Sequence, residues 1–232
     1  RALELNREDV GALLGLADAQ EKGGRILPAL QTLDRAGRIL QERGDGDAAA
    51  NVMVRVGALW CVGPDADPSA AVLRFRTALM LRPGHPGALS GLADAAVIDG
   101  DPMRARHALE DLLRVSQEPG STVDRSAVLL RLGHVSSLPG GDPLQAVTYY
   151  QKALDGTPDC AEQALGALED LYSRAGRWDD VARVLELAIA RVDAPAVRGE
   201  RLARLAEVVG TYLDDPTRAV VIYEEAATLR RD

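Results

Sequence analysis

The chain has 232 residues, of which 47% are hydrophobic and 3% aromatic, and its formal charge is −8 at pH 7. Lys and Arg are not concentrated into a basic stretch, which argues against nucleic acid as a partner. No apolar run approaches the roughly 18 residues that a membrane helix needs, so we expect no insertion into a membrane.

Long stretches of the sequence repeat. Residues 2–24 and 78–100 are identical at 12 of 23 positions, at an offset of 76 residues, and residues 153–176 form a third copy with one inserted residue. The repeating unit, about 75 residues long, divides into two halves of similar pattern. In chain order, the pattern predicts a leading partial helix at residues 1–7 and six helical hairpins, at approximately 9–43, 47–83, 86–117, 122–158, 161–193 and 197–231.

The second helix of every other hairpin carries alanine, an aromatic residue and alanine at one fixed spacing. This spacing places the three side chains on one helical face, where the alanines admit a close neighbour and the ring fills the remaining space. Asp-Pro precedes each of these helices and is a favourable helix start. A proline after the helix predicts its end. The sets are Ala71, Phe75, Ala78 and Pro83; Ala146, Tyr150, Ala153 and Pro158; and Ala219, Tyr223 and Ala226.

The loop at residues 43–47 contains Asp45 and Asp47. We expect Asp47 to cap the helix that follows, since a calcium loop needs more ligands at fixed spacing.

The first helices carry large, large and small residues at a fixed spacing, as in Leu13, Leu16 and Ala17 or Leu89, Leu92 and Ala93. Together with the alanine–aromatic–alanine spacing of the second helices, this pattern resembles the tetratricopeptide repeat, a helix–turn–helix unit of about 34 residues. The resemblance covers essentially the whole chain and implies an all-α fold, a right-handed α-solenoid of about six hairpins in which neighbours share a core. We expect residues 1–232 to form a single superhelical array and a fragment of a longer one, since neither end has a polar capping helix. Abundant Arg, Ala and Gly with only two Lys indicate a bacterial source.

The resemblance also implies that the first helix of each hairpin lines a concave surface where a partner binds. Read by register, Asp recurs on alternate first helices and Arg on the intervening ones. Two interpretations stay open: these side chains pair across hairpins and set the twist of the array, or some of them contact a partner. The candidate partner-binding residues are Asp18, Arg55, Asp94, Arg131, His134, Asp170, Arg204 and Glu207.

The spacing of Cys, His, Gly and the carboxylates matches no metal, cofactor or nucleophile motif. We therefore predict a scaffold without enzymatic activity or cofactor, which binds another protein or peptide in its concave groove. One alternative is a non-catalytic arm of an enzyme or regulator whose active domain lies outside this segment. A further alternative is catalysis near Asp94, Asp170 and His134.

Two further expectations concern the partners and the compartment. Exposed apolar ends would allow end-to-end self-association of the array. We expect a cytoplasmic location, and the periplasm stays open because Arg1 indicates a truncated N-terminus.

Overall fold

The structure is a computed structural model that describes residues 8–62 and 66–229. This part of the chain contains twelve α-helices and no β-strand. In chain order they are α1 (Val10–Lys22), α2 (Ile26–Glu42), α3 (Gly46–Trp60), α4 (Pro68–Leu81), α5 (Pro86–Ile98), α6 (Pro102–Val115), α7 (Arg125–Ser137), α8 (Pro143–Ala153), α9 (Pro158–Arg174), α10 (Trp178–Ala190), α11 (Pro195–Thr211) and α12 (Pro216–Leu229).

The twelve helices pair in chain order, from α1 with α2 to α11 with α12. The predicted partial helix at residues 1–7 and the last residues of the sixth hairpin lie outside the described residues. The all-α fold is confirmed.

The chain divides into two compact units, Arg1–Val123 and Asp124–Asp232. In the first, each helix from α1 to α6 packs against the next, and the first helices α3 and α5 also contact each other. In the second, α7 to α12 pack in the same sequential way, and α7 contacts α9. Packing between chain neighbours is the arrangement that defines an α-solenoid. A single array over 1–232 and its right-handed twist stay predictions.

The predicted alanine–aromatic–alanine face forms the core of the hairpins. Phe75 on α4 is 2% exposed and Tyr150 on α8 is 4% exposed, and the alanines on either side of each ring are fully buried. Tyr223 differs, because it is 46% exposed on α12, which packs closely only on α11 among the described helices. The ring therefore needs a helix on both sides to be buried.

The Asp-Pro pairs start their helices as predicted. Each carboxylate accepts a backbone N–H in the first turn, at 2.9 Å from Ala70 N to Asp67 Oδ1 and from Arg218 N to Asp215 Oδ1. Asp142 caps α8 in the same way.

Two residues at helix termini were assigned wrongly from the sequence. Asp45, and not Asp47, caps α3: its Oδ1 accepts from Ala48 N at 3.0 Å, so the helix begins at Gly46 and Asp47 lies in its first turn. Pro158 does not end α8; it is the first residue of α9, because Thr157 caps that helix and proline fits its first turn.

Candidate functional site

The candidate residues lie on the first helices of all six hairpins. The carboxylates of Asp18, Asp94, Asp170 and Glu207 and the ring of His134 are exposed. The side chains of Arg55, Arg131 and Arg204 are half-buried. One register position is thus exposed on all six first helices, and Ala58 occupies it on α3. On α3, α7 and α11 a half-buried arginine lies one turn before it. We call these positions together the first-helix face.

In the first unit, Arg55 on α3 joins two carboxylates of α1. Its Nε donates to Glu21 Oε1 at 2.8 Å, and its NH2 group forms an ion pair with Asp18. Partial burial acts to lower the pKa of Arg55, but the hydrogen bonds to Asp18 and Glu21 outweigh it and leave that pKa raised. The predicted pairing across hairpins thus holds at this step, with Glu21 as an additional member.

In the second unit, the predicted pairing of Arg204 with Asp170 does not hold. Arg204 on α11 donates from Nε to Glu169 Oε1 at 3.2 Å and from NH1 to Glu207 Oε2 at 2.8 Å. These two carboxylates, Glu207 first, raise the pKa of Arg204. Asp170 is instead held by Arg174, whose Nε lies 3.0 Å from Asp170 Oδ1. Arg174 lies four residues after Asp170 on the same helix, and it takes the place that Arg204 of the neighbouring hairpin was expected to fill.

Asp94 lies on α5 in the first unit and Arg131 lies on α7 in the second. Both side chains take part in polar contacts. A pair between them stays a prediction.

Ion pairs also join the second helices, where the sequence reading did not look for them. Arg74 on α4 donates from NH2 to Asp34 Oδ2 of α2 at 3.1 Å. Arg218 on α12 donates to Glu186 Oε1 of α10 at 2.6 Å. Asp34 and Glu186 lie at the same register, five residues after Ala29 and Val181, but Arg74 and Arg218 do not share one, so the repeat pattern carries no signal for these pairs.

The described residues contain no group of three or more His, Cys, Asp or Glu side chains that could hold a metal ion. Burial, and then Asp94, raises the pKa of the Cys61 thiol, which disfavours its thiolate. None of the helices described is both long and apolar enough to cross a bilayer. The first-helix face offers charge–charge contacts and hydrogen bonds, the means of recognising another chain.

Residues 164–196 match the family model described as "Tetratricopeptide repeat". This match covers α9 from its second turn, all of α10 and the connection to α11. No curated protein matches the sequence significantly.

Solved structures extend the likeness to most of the chain. A tetratricopeptide repeat protein from Parabacteroides merdae is 16% identical, with a TM-score of 0.62, over 94% of this chain and 79% of that one. PilF of Pseudomonas aeruginosa is 19% identical, with a TM-score of 0.56, over 94% and 96% of the two chains. MamA is 16% identical, with a TM-score of 0.59, over 75% and 93%. At these identities, the likeness is one of fold.

Proposed function

We propose that this chain, a tetratricopeptide-repeat protein, is an interaction scaffold whose first-helix face binds a partner protein or peptide. The observation that supports this most strongly is the row formed by Asp18, Ala58 and Asp94. All three are exposed at one register position on the consecutive first helices α1, α3 and α5. A row of this kind presents regularly spaced contacts along a surface that the hairpin core already holds rigid.

The charge of the face in the first unit suggests what the partner carries. Three carboxylates, from Asp18, Glu21 and Asp94, accompany two cations, the guanidinium of Arg55 and the ammonium group of Lys22, which lies one turn from Asp18. This excess of negative charge favours a partner segment with Lys or Arg side chains, since complementary charge speeds encounter and fixes register.

A matched pair of variants tests the proposal. Ala58→Tyr places a bulky ring on the first-helix face, whereas Gln31→Tyr places the same ring on the exposed side of the second helix α2. Both proteins should fold, because neither change enters the core. We expect Ala58→Tyr to abolish or greatly weaken capture of the partner from an extract of the source organism, and Gln31→Tyr to leave it unchanged. Equal capture by both variants would contradict the proposal.

Self-association is a separate prediction. On α12, Val220, Val221 and Tyr223 are 55%, 61% and 46% exposed, which is an apolar surface suited to another helix. Light scattering of the wild type and of Val221→Asp should show an association in the first that is lost in the second. A wild type that stays monomeric at high concentration would contradict it.

A further inference from the structure

The solvent side of α4 carries two large apolar side chains. Leu73 is 60% exposed and Met80 is 84% exposed, and the exposed Arg76 lies between them. Positions 73, 76 and 80 fall on one helical face, so the three side chains form a single stripe. Isolated exposed apolar residues are ordinary, whereas two on one stripe beside a cleft indicate a contact surface.

A cleft of about 390 Å³ borders this stripe. It is lined by Leu79 and Met80 of α4, Leu92 of α5, and Arg76 and Arg104, the last from α6. We call these five residues the α4–α6 groove. Leu79 also lines a second cleft, of about 450 Å³, whose lining includes the apolar Leu89 and Val115 and the charged Asp111 and Arg114. Leu92 is 8% exposed and forms an apolar floor.

The two arginines of the groove differ in their partners. Arg104 lies 3.2 Å from Asp101 Oδ2 and 3.7 Å from Asp99 Oδ2, so two carboxylates already balance its charge. Arg76 forms no ion pair or side-chain hydrogen bond within the described parts of the chain. Its guanidinium can donate hydrogen bonds to a carboxylate of another molecule, beside an apolar surface that strengthens such a contact.

The repeat supplies an internal comparison for these residues. At the offsets of 75 and 76 residues that relate the hairpins, Arg76, Met80 and Arg104 correspond to Gln151, Asp155 and Asp180 in the second unit. The floor is retained, because Leu79 and Leu92 correspond to Leu154 and Leu168. Packing of the hairpins therefore requires the two leucines but neither the exposed methionine nor the arginines.

We propose that the α4–α6 groove is a second binding site, for an amphipathic helix of a partner protein with an acidic residue on its apolar side. A large apolar side chain of that helix enters between Leu79, Met80 and Leu92. A carboxylate one turn away along the same helix pairs with Arg76, since Arg76 and Met80 are themselves one turn apart. Methionine suits this contact because its flexible side chain adapts to the shape of the residue it meets. The site lies beside second helices and is separate from the first-helix face.

The test selects peptides that bind the whole wild-type chain from a random display library. Peptides that also bind a double variant, Arg76→Gln/Met80→Asp, are removed. This variant carries the residues of the second unit in the groove of the first, and both changes are at exposed positions. We expect selected peptides to contain Asp or Glu one turn from a large apolar residue, and to bind the double variant at least about tenfold more weakly. Arg76→Gln alone should account for a measurable part of that loss.

Methyl NMR then locates the bound peptide. Of the methionines, Met80 is 84% exposed in the groove, while Met53 is 3% exposed in the core and serves as a control. The Met80 methyl signal should shift on addition of a selected peptide and the Met53 signal should not. The inference is overturned if no peptide distinguishes the wild type from the double variant, if those that do lack acidic residues, or if the Met80 signal does not move.

Discussion

The ring of Phe75 on α4 occupies the space that a side chain would need at both Gly57 and Gly91. A Cβ built at Gly57 would lie 2.8 Å from Phe75 Cε1, and one built at Gly91 would lie 2.3 Å from the same atom. Gly57 lies on the first helix α3 and Gly91 on the first helix α5, and these two helices also contact each other. One aromatic side chain thus sets the spacing of two consecutive hairpins.

We expect Gly91→Ala to lower the free energy of unfolding by about 1–3 kcal/mol, because the added methyl group displaces a ring held between two helices. Gly166→Ala on α9 is the matched control, since a Cβ there meets no atom within 4 Å. That change should stabilise the protein by about 0.5–1 kcal/mol through helix propensity alone. Denaturant unfolding of both variants checks the pair. A Gly91→Ala protein as stable as the control would show that the ring yields easily.

The ion pairs of Arg55 should contribute modestly to stability. Double-mutant cycles of Arg55→Gln with Asp18→Asn and with Glu21→Gln should give coupling energies of about 0.2–1 kcal/mol, reduced by salt. The Glu21 coupling should be the larger, because its side chain is 25% exposed against 55% for Asp18. If both couplings are zero at low salt, the pairs do not hold α1 against α3.

We expect His85 to make the stability of the protein depend on pH. It is 8% exposed and caps α5, its Nδ1 accepting from Ala88 N at 3.2 Å while Nε2 lies 2.8 Å from Asn51 Oδ1. Burial first, and then the nearby Arg82, lower the pKa of this imidazole, with Asp47 acting in the opposite direction. The folded protein therefore binds fewer protons here than the unfolded chain, and stability is lost as the pH falls below about 6.5.

Unfolding of the wild type and of His85→Asn between about pH 7.5 and about pH 5.5 measures this effect. As the pH falls, the unfolding free energy of the wild type should decrease more than that of His85→Asn. His107→Asn, at an exposed position of α6, should follow the wild type. A pH dependence that is the same in all three proteins would exclude His85 as its source.

Ser136 on α7 is 3% exposed, and its hydroxyl has no hydrogen-bond partner among the described residues. Ser136→Ala should therefore raise the free energy of unfolding, by up to about 1 kcal/mol, because it removes a buried polar group that gains nothing on folding. Ser137→Ala is the neighbouring control, since that hydroxyl donates to His134 O at 2.7 Å. Loss of stability in Ser136→Ala would reveal a hydrogen bond that forms in solution.

The hairpins and their core could be predicted from sequence because both follow from periodicity. Ala71, Phe75 and Ala78 share one face, and a face that recurs in register must be buried by its neighbours. The choice of Asp47 over Asp45 as helix cap was wrong because aspartate suits either position, and only the backbone path of the preceding turn selects Asp45.

The charged partners were predictable only where no nearer partner competes. Asp18 pairs with Arg55 as the register indicates, yet Asp170 pairs with Arg174 on its own helix and leaves Arg204 to Glu169. The exposed groove at Met80 is a property of three helices together, so a pattern read along one helix does not contain it.

Site-specific photocrosslinking tests most directly whether the first-helix face binds a partner. A photoreactive amino acid is placed at Ala58 on α3, or at Gln31 on the second helix α2 as the control, in the full chain expressed in the source organism. The account predicts a discrete crosslinked partner from position 58 and none from position 31. Crosslinks from position 31 alone, or none from position 58 while the partner is still captured by the wild-type protein, would contradict it.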